Sequence, residues 1–427
     1  MTLTAEDALH QLRFTNAGRI DPYPLYRALL EHGPLHRSGE DGIWCAVGYR
    51  TCRQLLLDPR LGHCGQRVSR RDLSHAELRR LERRFEFQRR VGLTKLNLDP
   101  PENTRMRRLL GSGLTPGRLA GLRTSVIGIV DGCLDRIAGM GDADLMVDLG
   151  LPLSVGVVGD LVGIPREEQD RFRRPFIHGG DLVYGVDPGD EDLDRAEATL
   201  QELESVLQDV IADRRRHPRQ DLISDLLAVD EDGDRLPERD IMAMALVLFL
   251  AGFVTTTNLI GNGLLALFRH PEEMARLWGD ASLVASAVEE MLRWDTPFQW
   301  VTRRVLEPAD VDGERLQVGD MVVVFLGAAN RDAERFPQPD RFDVARPDNK
   351  PLAFGWGIHY CLGAALARME GQMVFGHMRE RFWPELLDEN PPAAHSPMSG
   401  AVRGVRSLPV RVHPVASRLA AATRRGS

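Results

Sequence analysis

The chain has 427 residues, is 43% hydrophobic and 27% charged, and carries a formal net charge of −8. This balance suits a soluble globular protein with a large core and gives no support for nucleic-acid binding. The opening "MTLTAEDALHQLR" has neither a basic start nor an apolar run, so no signal peptide is expected and a cytoplasmic location is.

In chain order, "DPYPLYRALLEHG" predicts a helix ending at Gly33, "IWCAVG" a strand, and "YRTCRQLLLDPRLG" the helix after it. The stretch from Arg70 to Arg90 holds eight arginines. Such a run is ordinarily a solvated helix face. The sharper reading is that it meets an acidic group, on a substrate or on a carrier protein holding one. "DPPENTRMRRLLGSGL" offers Asp99 as a cap, Pro100 at the first helical position and Glu102 three residues after the cap, a capping-box pattern. Helical patterns continue over 118–139, 166–177 and 191–217.

From Ile241 to Phe268 there is no charged residue, a run longer than the roughly 20 residues that cross a membrane. Its centre reads "TTTN" (Thr255 to Asn258) and is followed by Gly261-Asn262-Gly263, so the expectation is a buried core helix and no membrane. Two helices, "EEMARLW" and "ASLVASAVEEMLRW", come next. The alternation in "VTRRVLEPADVDGERLQVGDMVVV", with its Asp312-Gly313 turn, predicts a small antiparallel sheet. A second hairpin is expected in "MSGAVRGVRSLPVRV". No repeat or long linker divides the chain, so the expected fold is a mainly α single domain over 1–427 with a small β-sheet region. Its ends, 1–20 and 415–427, are expected to fray.

Five cysteines show no CxxC spacing, which fits a reducing compartment. Cys45, Cys52, Cys64 and Cys133 read as small buried hydrophobes. Cys361 is different. It follows the glycine-rich "FGWGIHY" and precedes a helix, where unpaired N–H groups favour a thiolate. That thiolate would be a nucleophile, with His359 as its base, or a metal ligand. Gly363, Ala364, Ala365 and Ala367 would let something flat lie close to the helix.

"FGWGIHYCLG" resembles the heme-binding signature of the cytochromes P-450, matched at Phe354, Gly357, His359, Cys361 and Gly363. The resemblance implies that Cys361 is the axial thiolate of heme b (iron protoporphyrin IX), with Phe354 beside the sulfur and His359 reaching a propionate. It extends to "EEMLRW", whose Glu290 and Arg293 match the family's ExxR motif, with Arg341 expected to complete a buried network. It extends also to Asn103 and Arg107, where the usual pattern is His and Arg, and to Arg303 as a second propionate arginine. Arg304 would point to the opposite face. In "LAGFVTTTN" the resemblance makes Ala251, Gly252 and Thr255 the oxygen-side group, the small residues leaving room and the threonine hydroxyl donating a hydrogen bond to dioxygen. Val254 stands where the family has an acid, so a proton relay would run through water or substrate groups.

By the same resemblance the substrate would be walled by 63–95, parts of 168–190, Leu248, Phe253, Val254, Phe298, Trp300 and Met398, which implies a largely apolar molecule. With no reductase in the chain, electrons would come from NAD(P)H through a ferredoxin and its reductase. The implied activity is a monooxygenase that hydroxylates a C–H bond, of the kind bacteria use in natural-product biosynthesis. Desaturation, ring coupling or peroxide-driven oxidation on the same fold, a non-catalytic heme sensor, and a Cys361/His359 hydrolase are the alternatives.

Overall fold

The computed structural model describes residues 3–63, 74–92, 98–169, 171, 189–231, 234–388 and 401–415. Helices dominate: α1 (Ala5–Phe14), α2 (Tyr23–His32), α3 (Tyr49–Leu57), α4 (His75–Arg90), α5 (Glu102–Gly111), α6 (Pro116–Met140), α7 (Leu151–Val162), α8 (Asp190–Arg216), α9 (Glu238–Arg269), α10 (Val284–Trp294) and α11 (Ala364–Arg381). The strands are β1 (Leu35–Arg37), β2 (Trp44–Ala46), β3 (Leu61–Gly62), β4 (Asp142–Asp144), β5 (Val301–Val305), β6 (Ala309–Val311), β7 (Glu314–Leu316), β8 (Met321–Val324), β9 (Trp383–Leu386) and β10 (Pro409–His413). The contacts divide into two compact units. One comprises 1–62, 130–150 and 255–427, the other 63–129 and 151–254, so α6 and α9 each contribute to both.

The first unit holds most of the β structure. A five-stranded sheet runs β1-β2-β8-β5-β3, with β8 parallel to β2 and antiparallel to β5, pairing Val322 with Trp44 and with Arg303. The β6–β7 hairpin turns on Asp312 and Gly313, both at positive φ, as the sequence predicts. Among the described residues the second expected hairpin does not form locally. Instead β10 lies between β9 and β4, and Phe298 bridges to Val402. Backbone groups of these segments find partners far away in sequence, which a local pattern does not show. Nor do residues 3–20 fray. Thr4 caps α1 by accepting from the Asp7 N–H, and Ala8, Leu9 and Leu12 enter a core cluster with Leu25, Tyr26, Cys45 and Phe325. Residues 416–427 lie outside the described residues.

The second unit is mainly helical, with one short two-stranded sheet that pairs Asp230–Glu231 with Asp234–Arg235. Two arginines of α4 face α8: Arg83 meets Asp194 at 2.6 Å and Glu197 at 3.1 Å, and Arg90 meets Glu204 at 2.5 Å. Arg89, 68% exposed, pairs instead with Glu86 of its own helix on the solvated face. The capping box before α5 is absent. The Asp99 carboxylate accepts from the His63 N–H at 2.9 Å, and the helix starts at Glu102, after both prolines. A Cβ on Gly92 would come within 2.2 Å of the Ala243 carbonyl oxygen, so this glycine permits close approach to α9.

Helix α9 is long and apolar enough to cross a membrane, but 61% of its most apolar window is buried inside the protein. It behaves as the core helix the sequence predicts.

Candidate functional site

The turn before α11 is built by its glycines. Gly355 and Gly357 have φ of 67° and 73°, and a Cβ on Gly357 would meet the Leu56 carbonyl oxygen at 2.4 Å. The Cys361 N–H donates to the Phe354 carbonyl at 3.0 Å, and the Tyr360 N–H to that of Gly357 at 3.0 Å. These bonds hold the cysteine three residues ahead of the first residue of α11. Cys361 is exposed, whereas Cys45, Cys52 and Cys133 are buried. Burial pushes the Cys45 thiol up to about 12 and the Cys52 thiol higher still, so neither ionises at neutral pH. Cys64 lies outside the described residues. A Cβ on Gly363 would stand 4.0 Å from the Cys361 sulfur, so the approach along the helix start is open.

Arg368, which sequence reasoning missed, clamps this turn from inside α11. Its guanidinium lies 4.5 Å from the Phe354 ring centre, donates to the Tyr360 hydroxyl at 3.1 Å and grips Glu289 on α10. Burial alone would lower its pKa, but the hydrogen bonds to Glu289 and Tyr360 outweigh that and raise it. The signal available was its position seven residues after Cys361, two helical turns along.

On α9, the partly accessible residues Leu248, Ala251, Gly252, Thr255 and Asn258 recur at helical spacing along one stripe. Their neighbours Phe249, Leu250, Phe253, Thr256 and Leu259 are buried. An accessible stripe of small and polar residues halfway along a buried helix is the cradle a flat group would fill. Val254 flanks it and is half-buried. Phe253, expected in the pocket wall, lies off the stripe, 3% exposed, with its ring 6.2 Å from that of Phe249. Gly252 has an additional reason to be small: a Cβ there would meet Val158 of α7 at 2.8 Å.

The expected cradle residues fall as follows. In the first unit Arg303 is 4% exposed while Arg304 is half-buried, the difference that alternation along β5 predicts. His359 and Phe354 are half-buried in the cysteine turn. In the second unit Asn103 is buried and Arg107 half-buried one turn later on the same face of α5. Phe298 and Trp300 are half-buried on either side of buried Gln299, and Trp300 packs against the N-terminal core cluster. Met398 lies outside the described residues, as do most of the wall segments expected within 63–95 and 168–190.

The ExxR network forms with a different third member. Arg293 binds Glu290 through two bonds, 2.7 and 2.8 Å. Arg346, not Arg341, completes it at 3.0 Å, while the Arg341 side chain is 59% exposed and only its carbonyl joins in. Both arginines stand in "PDRFDVAR", and the backbone turn places the later one inside.

Within the first unit the exposed cysteine, the sterically open helix start and the buried arginine fit a heme: a soft ligand, a donor for a carboxylate and room for a plane beside the turn. Comparison with known proteins agrees. Residues 188–407 match the family model for Cytochrome P450. The chain is 38% identical over 398 residues to the cytochrome P450 monooxygenase PikC of Streptomyces venezuelae, covering 92% of this chain and 91% of that one. It is 31% identical over 397 residues to the polyketide biosynthesis cytochrome P450 PksS of Bacillus subtilis, covering 91% and 95%. Among solved structures, P450BioI in complex with a hexadec-9Z-enoic acid ligated acyl carrier protein superposes with a TM-score of 0.81 at 28% identity, covering 93% and 99%. The chain belongs to the cytochrome P450 family and is a heme-thiolate monooxygenase that takes its electrons from outside the chain.

Proposed function

We propose that residues 1–427 act as one heme domain that hydroxylates an unactivated C–H bond of a largely apolar small molecule in natural-product biosynthesis. The observation that carries the reading is the exposed Cys361 at the mouth of α11, beside cysteines that are buried. Cys361 would hold the iron of heme b, with Phe354, His359 and Gly363 around the sulfur and Arg303, Arg107 and Asn103 toward the propionates. The bound group supplies oxygen activation, helped by the electron density a thiolate donates. This chain's own residues do the rest. Ala251 and Gly252 leave room, and Thr255 offers a hydroxyl proton toward dioxygen. Val254 brings no proton, so the relay uses water or substrate groups. Leu248, Val254, Phe298, Trp300 and Met398 shape the apolar wall.

Electrons would pass from NAD(P)H through a ferredoxin and its reductase in the cytoplasm. Leu57 and Ile358, both about half exposed beside the cysteine turn, with Arg50 and Arg53 on the same helix α3, give such an acidic partner an apolar patch edged by positive charge. A carrier-bound substrate is supported by the likeness to P450BioI, which was solved with its acyl carrier protein. The arginines of α4 support it less, since Arg83 and Arg90 are paired with α8.

The test is spectroscopic. The reduced, carbon-monoxide-bound protein should show the red-shifted Soret band of a thiolate-ligated heme. Cys361→Ala should lose it and Cys45→Ala keep it. Survival of the band in Cys361→Ala would defeat the assignment. Titration of the ferric protein with natural-product scaffolds, free and carrier-bound, then identifies the substrate class.

A further inference from the structure

Residues 401–405 alternate along the chain: Ala401, Arg403 and Val405 are buried, Val402 and Gly404 half-buried. This is the pattern of an extended strand with one closed and one open face. The open face lies against helix α9. A Cβ on Gly404 would overlap the Asn258 side chain, and Asn258 follows Thr255 by about one turn on the accessible stripe. Phe298 bridges to Val402 and is half-buried too, so the two side chains share that face. The bridge is fastened on both sides. The Gln299 N–H donates to the Ala401 carbonyl at 2.7 Å, and the Arg403 N–H to that of Pro297 at 2.8 Å.

The closed face is built around one side chain. Arg403 is 6% exposed and carries a charge that nothing above employs. Its Nε donates to the Asp295 carboxylate at 2.8 Å, and its Nη1 to the carbonyls of Ile20 at 2.7 Å and Arg19 at 3.3 Å. The same Asp295 oxygen accepts from the Tyr23 hydroxyl at 2.7 Å. Asn262 of α9 donates to the carbonyls of Asp295 and Arg403, at 3.0 and 3.2 Å. Burial opposes the charge on Arg403, but the carboxylate of Asp295 outweighs it and the guanidinium stays protonated. An apolar pair of the same volume would avoid the cost of desolvating these charges. What the guanidinium adds is direction, because its planar fork meets the carboxylate and the two carbonyls at once.

We propose that Arg403 is a positioning residue for the substrate: by tying residues 401–403 to Asp295 and to the carbonyls of Arg19 and Ile20, it sets where Phe298 and Val402 stand beside the Thr255–Asn258 turn of α9, and so which molecular shapes the site accepts. This rests on the heme-thiolate reading of the site. Arg403 does not touch the bound molecule, since its side chain lies on the closed face. It acts through the apolar surface of Phe298 and Val402, which discriminates by fit; a methylene-sized mismatch against such a surface changes affinity by about tenfold or more.

The test uses the heme-loaded protein. The carbon-monoxide spectrum comes first, and its absence in the wild type would sink the function itself, separately from this proposal. With the band intact, the ferric wild type and Arg403→Ala are titrated with imidazole and with phenylimidazole. Both bind iron through a ring nitrogen, and only the phenyl group reaches the wall. Arg403→Ala should bind imidazole as the wild type does and phenylimidazole several-fold more weakly. Arg403→Lys, which restores the charge beside Asp295 but not the fork, should recover part of the loss. The effect should vanish without Phe298: in a Phe298→Ala protein, adding Arg403→Ala should weaken phenylimidazole binding no further. A merely structural role would lower the melting temperature and leave the ratio of the two affinities unchanged. That outcome would overturn the proposal, as would simple additivity with Phe298→Ala. Should Arg403→Ala fail to take up heme, the comparison passes to Arg403→Lys and to Tyr23→Phe, which removes the second donor to the same Asp295 oxygen. An unchanged ratio in both overturns the proposal as well.

Discussion

Arg346→Ala isolates the buried network behind the cysteine turn. Glu290, fully buried, accepts from both Arg293 nitrogens, from Arg346 Nε at 3.0 and 3.2 Å, from Asn349 Nδ2 at 2.9 Å and from the Asp343 N–H at 2.9 Å. Arg346 also donates to the carbonyls of Pro337, Gln338 and Arg341. Removing it halves the positive charge facing Glu290 and strips donors from three carbonyls at once. Breaking a buried ionic partnership of this kind costs on the order of 3–5 kcal/mol. With an unfolding entropy of about 0.9 kcal/mol/K for a chain this long, the melting temperature should fall by about 3–6 °C. Arg341→Ala is the control. Its side chain is mostly exposed and 3.9 Å from Asp343, an interaction contributing under about 1 kcal/mol. Thermal and urea melts of the heme-loaded proteins, followed by circular dichroism, measure both. If Arg341→Ala proved as damaging as Arg346→Ala, the assignment of the third member to Arg346 would be wrong.

Two further outcomes are expected. Arg303→Ala should reduce heme retention sharply during gel filtration, Arg304→Ala much less, because the first is buried on β5 and the second half-exposed. Asn103→Ala should be milder than Arg303→Ala, since a neutral hydrogen bond is worth about 1 kcal/mol; a reversed order of 303 and 304 would reassign the cradle. Thr255→Ala should keep heme and substrate binding yet divert reductant to peroxide. Full coupling in that variant would remove Thr255 from the proton path.

What the sequence by itself determined was whatever depends on near neighbours along the chain. The spacing of "FGWGIHYCLG" picks out Cys361 because glycine conformations and a helix start are local properties. The charge-free run to Phe268 shows α9 because length and periodicity need no tertiary contact. Glu290 and Arg293 pair at i,i+3 on one helix. Alternation along β5 distinguishes Arg303 from Arg304. Tertiary structure decided whatever depends on which remote groups arrive. Asp99 was legible as a helix cap but is drawn to the His63 N–H. Residues 409–413 pair with β9 and β4 instead of with their neighbours. The N-terminal helices are held because their apolar faces find Cys45 and Phe325. Arg346 displaces Arg341, and Arg368 takes on meaning only through the residues packed around it. Burial sets the cost of a charge and the choice of its partner, and burial is a property of the packed chain, not of any short stretch of it.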